Sequence, residues 1–233
     1  MKTKIFICHY PPLTERKAYL DTILPKLGVP YEYSTTFTTY DQSIEQYFST
    51  DPSDFKFKNQ FTSIKCFKST LTNGLKALCM EHIHIYKKIK DEDLDFGIIL
   101  EDDAVFVDDI ETRFQDMLKH LPAVWDVIYF TNGCETRDRY LQQNRDTTVP
   151  VINNFVKMKV PQSWTGGAYI IKKDTATLFK DNIRPVIFPP DYELSYLQGR
   201  FNSSVYWLED PIVYEGSSTY SGKYFKYPSS VNR

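Results

Sequence analysis

The chain predicts an α/β fold: a mostly parallel sheet flanked by helices. Three observations carry that prediction. Short runs of large aliphatic residues, such as Ile5-Phe6-Ile7-Cys8 and Gly97-Ile98-Ile99-Leu100, read as strands buried on both faces. Segments of helical period alternate with them, as crossover connections between parallel strands require. The 233 residues, 42% hydrophobic and 15% aromatic, suffice for one domain with a substantial core. No internal repeat or heptad pattern competes with this reading.

The elements follow in order. Residues 4–8 form the first strand, closed by Pro11-Pro12. Thr14 is a candidate cap for a helix running to about Leu24, where Pro25 ends it. Residues 30–37 read as a second strand, and 38–61 as a long loop with short helices. The clearest helix spans 63–90, with Phe67, Leu71, Leu75, Leu78, His82, Ile85 and Ile89 at helical spacing. A helix over about 110–121 and a strand over 125–130 come next, the strand ending at the turn signal Thr131-Asn132-Gly133. Residues 137–148, the most hydrophilic stretch, read as an exposed excursion. Gly166-Gly167 precedes a strand through Ile171 and a helix over 174–182. Pro189-Pro190-Asp191, a strand over 205–208 and a small, polar, flexible tail complete the chain.

Bulk properties exclude several classes of partner. A net charge of −2 with no basic tract gives no reason to expect nucleic acid or an anionic membrane. Cys8, Cys66, Cys79 and Cys134 show neither metal-ligand spacing nor the density of a disulfide scaffold, so buried free thiols in a reducing compartment are expected. Met1-Lys2-Thr3-Lys4 and the short strand after it are too short for a signal-peptide core, and no segment reaches spanning length. The expectation is a cytoplasmic protein of a bacterial or viral host.

The chemistry gathers at Leu100-Glu101-Asp102-Asp103-Ala104, where an apolar strand breaks into three acids. Open α/β sheets place ligands beyond the C-terminal ends of their strands. In an extended chain Glu101 and Asp103 project to one side and Asp102 to the other. Such acids repel unless a hard cation joins them, and oxygen donors of this kind suit Mg2+ or Mn2+ held together with substrate phosphates. A charged loop after a buried strand is the plainer alternative.

Several segments together carry a family likeness. Ile64-Lys65-Cys66-Phe67-Lys68-Ser69, the Leu-Glu-Asp-Asp run, Trp125-Asp126-Val127-Ile128-Tyr129 and Gly166-Gly167-Ala168-Tyr169-Ile170-Ile171 stand in order. Thr14-Glu15-Arg16 precedes them, and Pro190-Asp191 and Asp210-Pro211 follow. This set resembles glycosyltransferase family 25, the bacterial lipooligosaccharide and collagen galactosyltransferases, from about residue 4 to 215. The resemblance implies an A-type glycosyltransferase fold with a Rossmann-like donor half over about 1–130 and an acceptor half with the tail over about 131–233. It also implies a UDP-sugar donor, Mn2+ or Mg2+, a glycan or glycosylated acceptor, and inversion at the anomeric carbon.

By that carry-over Asp103 is the direct metal ligand and Glu101 lies near the ribose or a metal-bound water, with Asp102 completing the triplet. Asp191 is the candidate base, or a helix cap, or both, and Glu193 is the reserve. Gly166 and Gly167 admit backbone close to a sugar or simply form a tight loop. Trp164 stacks on a sugar or fills the core, and Tyr10 meets the base or packs on Pro11 and Pro12. Arg16 reaches a phosphate or stays solvated, and Lys223 lies near the diphosphate or in a disordered tail. The chain departs from the family at Ser69-Thr70, where Ser-His is usual. It also has no histidine in its last third to serve the metal, so Glu215 is the nearest substitute. His82 and His84, two apart on a helix, are not a zinc pair. These departures keep a second function in view, a catalytically degenerate carbohydrate- or nucleotide-binding module. A metal-dependent nucleotidyltransferase or phosphatase is a weaker third.

Overall fold

In the computed structural model the described residues are 1–39, 41–49, 71–133, 137–161, 165–183 and 185–228. The elements are β1 (Thr3–Cys8), α1 (Thr14–Ile23), β2 (Tyr31–Ser34), α2 (Asn73–Asp91), β3 (Phe96–Glu101), β4 (Ala104–Phe106), α3 (Ile110–Lys119) and β5 (Val127–Tyr129). They continue with α4 (Arg137–Asn144), β6 (Phe155–Lys157), β7 (Ala168–Lys172), α5 (Lys173–Asn182), α6 (Pro190–Arg200), β8 (Val205–Leu208) and β9 (Val213–Glu215). A seven-stranded sheet has the order β2-β1-β3-β7-β5-β8-β6, and β4 pairs with β9 apart from it. Strand β7 runs against both β3 and β5, and β6 against β8. The strands β1, β2, β3, β5 and β8 therefore share one direction.

Alternation along each strand builds two cores, one per face. Phe6, Ile99, Tyr169 and Ile171 pack with α2, α5 and α6 through Met80, Ile83, Tyr86, Phe179 and Leu197. Ile5, Ile7, Ile98, Leu100 and Ile170 point the other way, onto Leu20 of α1 and Ile110, Phe114 and Met117 of α3. Each such side chain, once buried, contributes about 1.5–3 kcal/mol. The apolar strands are unbroken because both faces are covered.

Three features of this topology position the site. Register sets Cys8 beside Glu101, so β1 and β3 end together. Because β7 is antiparallel, its beginning lies at that same edge, with Leu100 beside Ala168. The β4–β9 pair then sets Glu215 opposite Ala104.

Several expectations are corrected. The long helix starts at Asn73, not residue 63: Thr72 is extended, and its hydroxyl accepts the Leu75 N–H at 3.3 Å as the cap. The second strand is shorter, Tyr31–Ser34, and Thr14 is inside α1 without capping it. Residues 137–148 do expose Asp138, Gln142, Gln143, Thr147 and Thr148, but they are anchored rather than loose. They begin with α4, whose Leu141 is buried and whose Arg137 sits over the Trp207 ring and donates to the Glu209 carbonyl at 3.0 Å. Pro189 is the N-cap residue and Pro190 opens helix α6, since proline suits a first helical turn, and Asp191 lies inside that turn rather than at the cap. The tail is packed as far as Pro228: Tyr227 is buried, and Tyr214 and Tyr224 stack at 3.9 Å. Cys8 and Cys79 are buried free thiols, as expected. Cys66, Cys134, Trp164 and the segment 64–69 lie outside the described residues.

Candidate functional site

The acidic triplet does not stay extended. Strand β3 stops at Glu101, a turn holds Asp102 and Asp103, and β4 resumes at Ala104. The two aspartates consequently enter different surroundings.

Asp102 faces the β1–α1 connection. One carboxylate oxygen accepts from Arg16 Nη1 at 2.6 Å; the other meets the Tyr10 N–H at 3.0 Å and His9 Nδ1 at 2.9 Å. Both Asp102 and Arg16 are buried. Arg16 also donates to the Pro228 carbonyl at 2.9 Å and lies 5.3 Å from the Tyr227 ring centre. Its guanidinium is thus committed to bracing β1, β3 and the chain's last described residues. It is not a solvated residue; it lines the cavity beside the acids, and its Nε is buried without a partner.

Glu101, Asp103, Glu215 and Asp191 form the other group. Asp103 Oδ2 takes the hydroxyl and N–H of Ser217, while its Oδ1 is buried without a partner. Glu215 accepts from the Thr165 hydroxyl, which in turn receives the Gly167 N–H at 3.1 Å. Burial, then Asp103 and Asp191, push the Glu101 carboxyl well above the usual range. Burial raises Asp103 against the pull of Ser217 and Arg16. Glu215 is pushed up to about 8 by burial and by Asp103, Glu101 and Asp191, against its Thr165 bond. Asp191, in the first turn of α6, is raised by burial to about 6 although two backbone N–H groups oppose it. Among the described residues no lysine or arginine pairs with any of these four acids.

This donor set fits a hard cation. No three His, Cys, Asp or Glu side chains among the described residues close into a metal cage. Mg2+ and its like, however, are held by one or two carboxylates plus substrate phosphates. The orphaned Asp103 Oδ1, with Glu101 and Glu215 each crowded by neighbouring acids, fits that kind of open coordination.

Beside the acids lies a cavity of about 110 Å³. Its apolar wall is Cys8, Phe37, Ala77 and Leu78, with Tyr10 at its rim and Glu101, Asp102 and Asp103 at its acidic end. Glu81 of α2 holds that wall, accepting the Ser34 hydroxyl and the Phe37 N–H at 2.5 Å. Gly166 and Gly167 border the acids closely. A Cβ on Gly166 would stand 2.8 Å from Glu101 Oε1, and one on Gly167 would stand 3.3 Å from Glu215 Cγ.

Two expected residues are placed elsewhere. Glu193 is buried, and its Oε1 receives the N–H groups of Ile187 at 2.6 Å and Phe188 at 2.8 Å, so it braces the approach to α6. Lys223 is exposed, 4.8 Å over the Tyr224 ring, with Asp108 as its acidic neighbour rather than the four acids. One residue was missed. His82 is buried on α2, with Nδ1 2.8 Å from the Tyr169 hydroxyl and Nε2 3.8 Å from Glu101. Burial lowers its pKa to about 4, so it is neutral. The available signal was a polar residue within an otherwise apolar helical stripe.

A family model described as "Glycosyltransferase family 25 (LPS biosynthesis protein)" matches residues 2–194. No curated protein matches the chain. Among solved structures, a glycosyltransferase involved in the glycosylation of the major capsid of PBCV-1 is 8% identical, with a TM-score of 0.49, over 96% of this chain and 97% of that one. An apo UDP-glucose pyrophosphorylase is 11% identical, TM-score 0.47, over 97% and 98%. The protein A197 from STIV is 12% identical, TM-score 0.39, over 90% and 83%. Likenesses this faint carry no functional argument.

Proposed function

We propose that the chain, which belongs to glycosyltransferase family 25, moves a hexose from a UDP-sugar to a hydroxyl of a glycan or glycosylated acceptor. Galactose or glucose is the favoured sugar, Mn2+ or Mg2+ the cofactor, and inversion the stereochemical course. The observation that carries this reading is the gathering of Glu101, Asp103, Glu215 and Asp191, none paired with a lysine or arginine, around the C-terminal end of β3, with Glu101 and Asp103 lining a cavity there.

Each residue then has a task. Tyr10 and the apolar wall hold the nucleoside, while Glu101 stands near the ribose or a metal-bound water. Asp103, with Glu101 or Glu215, would hold the cation, which when bound supplies charge neutralisation to the departing diphosphate. Asp191 takes the proton of the acceptor hydroxyl as that oxygen bonds to the anomeric carbon and the bond to UDP breaks. A carboxyl raised to about 6 is half ionised close to neutral pH, where a general base works best. Gly166 and Gly167 leave room for the sugar, and Arg16 and Asp102 keep the triplet's turn in place. The donor side draws mainly on residues up to about 130, and the acceptor side on those after. A cytoplasmic setting completes the proposal; among the described residues no helix is long and apolar enough to cross a membrane.

The test is UDP release from a panel of UDP-sugars, with Mn2+ and with EDTA. Release from one sugar, lost on chelation, is the expected result. UDP binding without any release, with or without sugar acceptors, points instead to a binding module. No binding and no release overturns the reading.

A further inference from the structure

His82 is spent neither on the fold nor on the reaction described above. Its ring stacks on Tyr169 at 5.8 Å between centres and 6° between planes. The Tyr169 hydroxyl lies 2.8 Å from His82 Nδ1 and 2.8 Å from the Tyr86 hydroxyl. Two hydroxyl protons must find acceptors in this buried row. With no second partner for Tyr86 among the described residues, we assign the Tyr86 proton to Tyr169 and the Tyr169 proton to His82 Nδ1, the arrangement that satisfies both hydroxyls. The imidazole proton is thereby left on Nε2. That nitrogen is buried and unpaired, and buried donors are nearly always satisfied.

The surroundings of Nε2 define what completes it. Glu101 Oε1 is 3.8 Å away, too far for a hydrogen bond yet close enough for one oxygen atom to bridge both. Gly166 clears the place, since a Cβ there would sit 3.8 Å from Nε2 and 2.8 Å from Glu101 Oε1. A bridging group must accept from Nε2–H and donate to the carboxylate. A sugar hydroxyl does both, in the place a water would otherwise take; a methylene or an ether oxygen does not.

We propose that His82 is a specificity-determining residue, donating from Nε2 to one hydroxyl of the transferred sugar while that hydroxyl donates to Glu101. Tyr86 and Tyr169 are positioning residues that fix the proton on Nε2. The inference rests on the UDP-sugar reading above and sharpens it.

The experiment compares UDP release from the active UDP-hexose with release from its singly deoxygenated analogues. A site built to bond a hydroxyl rejects the analogue lacking it strongly, so one position should cost the wild type about 100-fold or more in kcat/KM. In His82→Gln that penalty should fall towards unity while UDP affinity, read by calorimetry, stays unchanged. Tyr169→Phe keeps the ring and the stack but frees the tautomer, and should relax discrimination at the same position; it also serves if His82→Gln does not fold. Discrimination unchanged in both variants overturns the proposal, as does a penalty only on deoxygenated acceptors. Wild-type protein that neither binds UDP nor releases it overturns the underlying reading instead.

Discussion

Asp102 and Asp103 are neighbours in sequence, equally buried, and opposite in situation. Asp102 meets a guanidinium, an imidazole and a backbone N–H, so its charge is satisfied within the fold. Asp103 is hydrogen-bonded only by Ser217, feels Arg16 at a distance without pairing with it, and has one oxygen with no partner. One turn of chain thus separates a carboxylate whose charge the fold satisfies from one whose charge it leaves partly unmet. Acidity alone does not mark a functional residue; unmet electrostatic need does.

The contrast is open to attack at four points. Asp103→Ala should abolish cation-dependent binding of the UDP-sugar in calorimetry while leaving the folded spectrum intact. Mn2+ dependence that survives this change would sink the ligand assignment. Next, Asp191→Asn should keep donor affinity but lower transfer by roughly 10²–10⁴-fold, the usual worth of general-base catalysis. In the wild type kcat/KM should rise through about pH 6 as this carboxyl ionises; an Asn variant with the same limb would move the base elsewhere.

Asp102→Ala strands the buried Arg16 charge, and breaking such a pair typically costs about 3–5 kcal/mol. Urea unfolding should therefore show the loss for Asp102→Ala and little or none for Asp103→Ala. Equal losses would erase the distinction between the two sites. The smallest effect is one of pH. Asp191 at about 6 and Glu215 at about 8 both bind protons more tightly folded than unfolded. Cation-free protein should accordingly lose stability as pH rises from the ordinary carboxylate range towards 8. Thermal melts across that window should fall, and Mn2+ should flatten them.

Much of this was legible in the residues, and the failures have physical causes. Strands β1, β3 and β7 announce themselves because burial on both faces demands unbroken apolar runs. The strand over 205–208 was read to its observed ends. The pair β4–β9, three residues each, carries no periodic signal, so the route that brings Glu215 to the acids was invisible. Glu215 itself entered only as a substitute for a histidine. Arg16 looked like a surface residue because its partner lies 86 positions later, and no local pattern encodes that distance. The spacing of His82 and His84 excludes a zinc pair but says nothing of Tyr169, the His82 partner, which arrives from a distant strand.

Arg16 in the first helix finds its last partner at Pro228, 212 positions downstream. Synthesis proceeds from the N-terminus at about 5–20 residues per second. The nascent chain therefore carries its acidic turn long before Glu215, Ser217 and Tyr227 emerge to enclose it. The sheet's first strands can pair on the ribosome, but the acidic pocket is enclosed only once residues 215–227 have emerged. A nascent chain halted before Glu215 would hold most of the sheet and leave the acidic turn open.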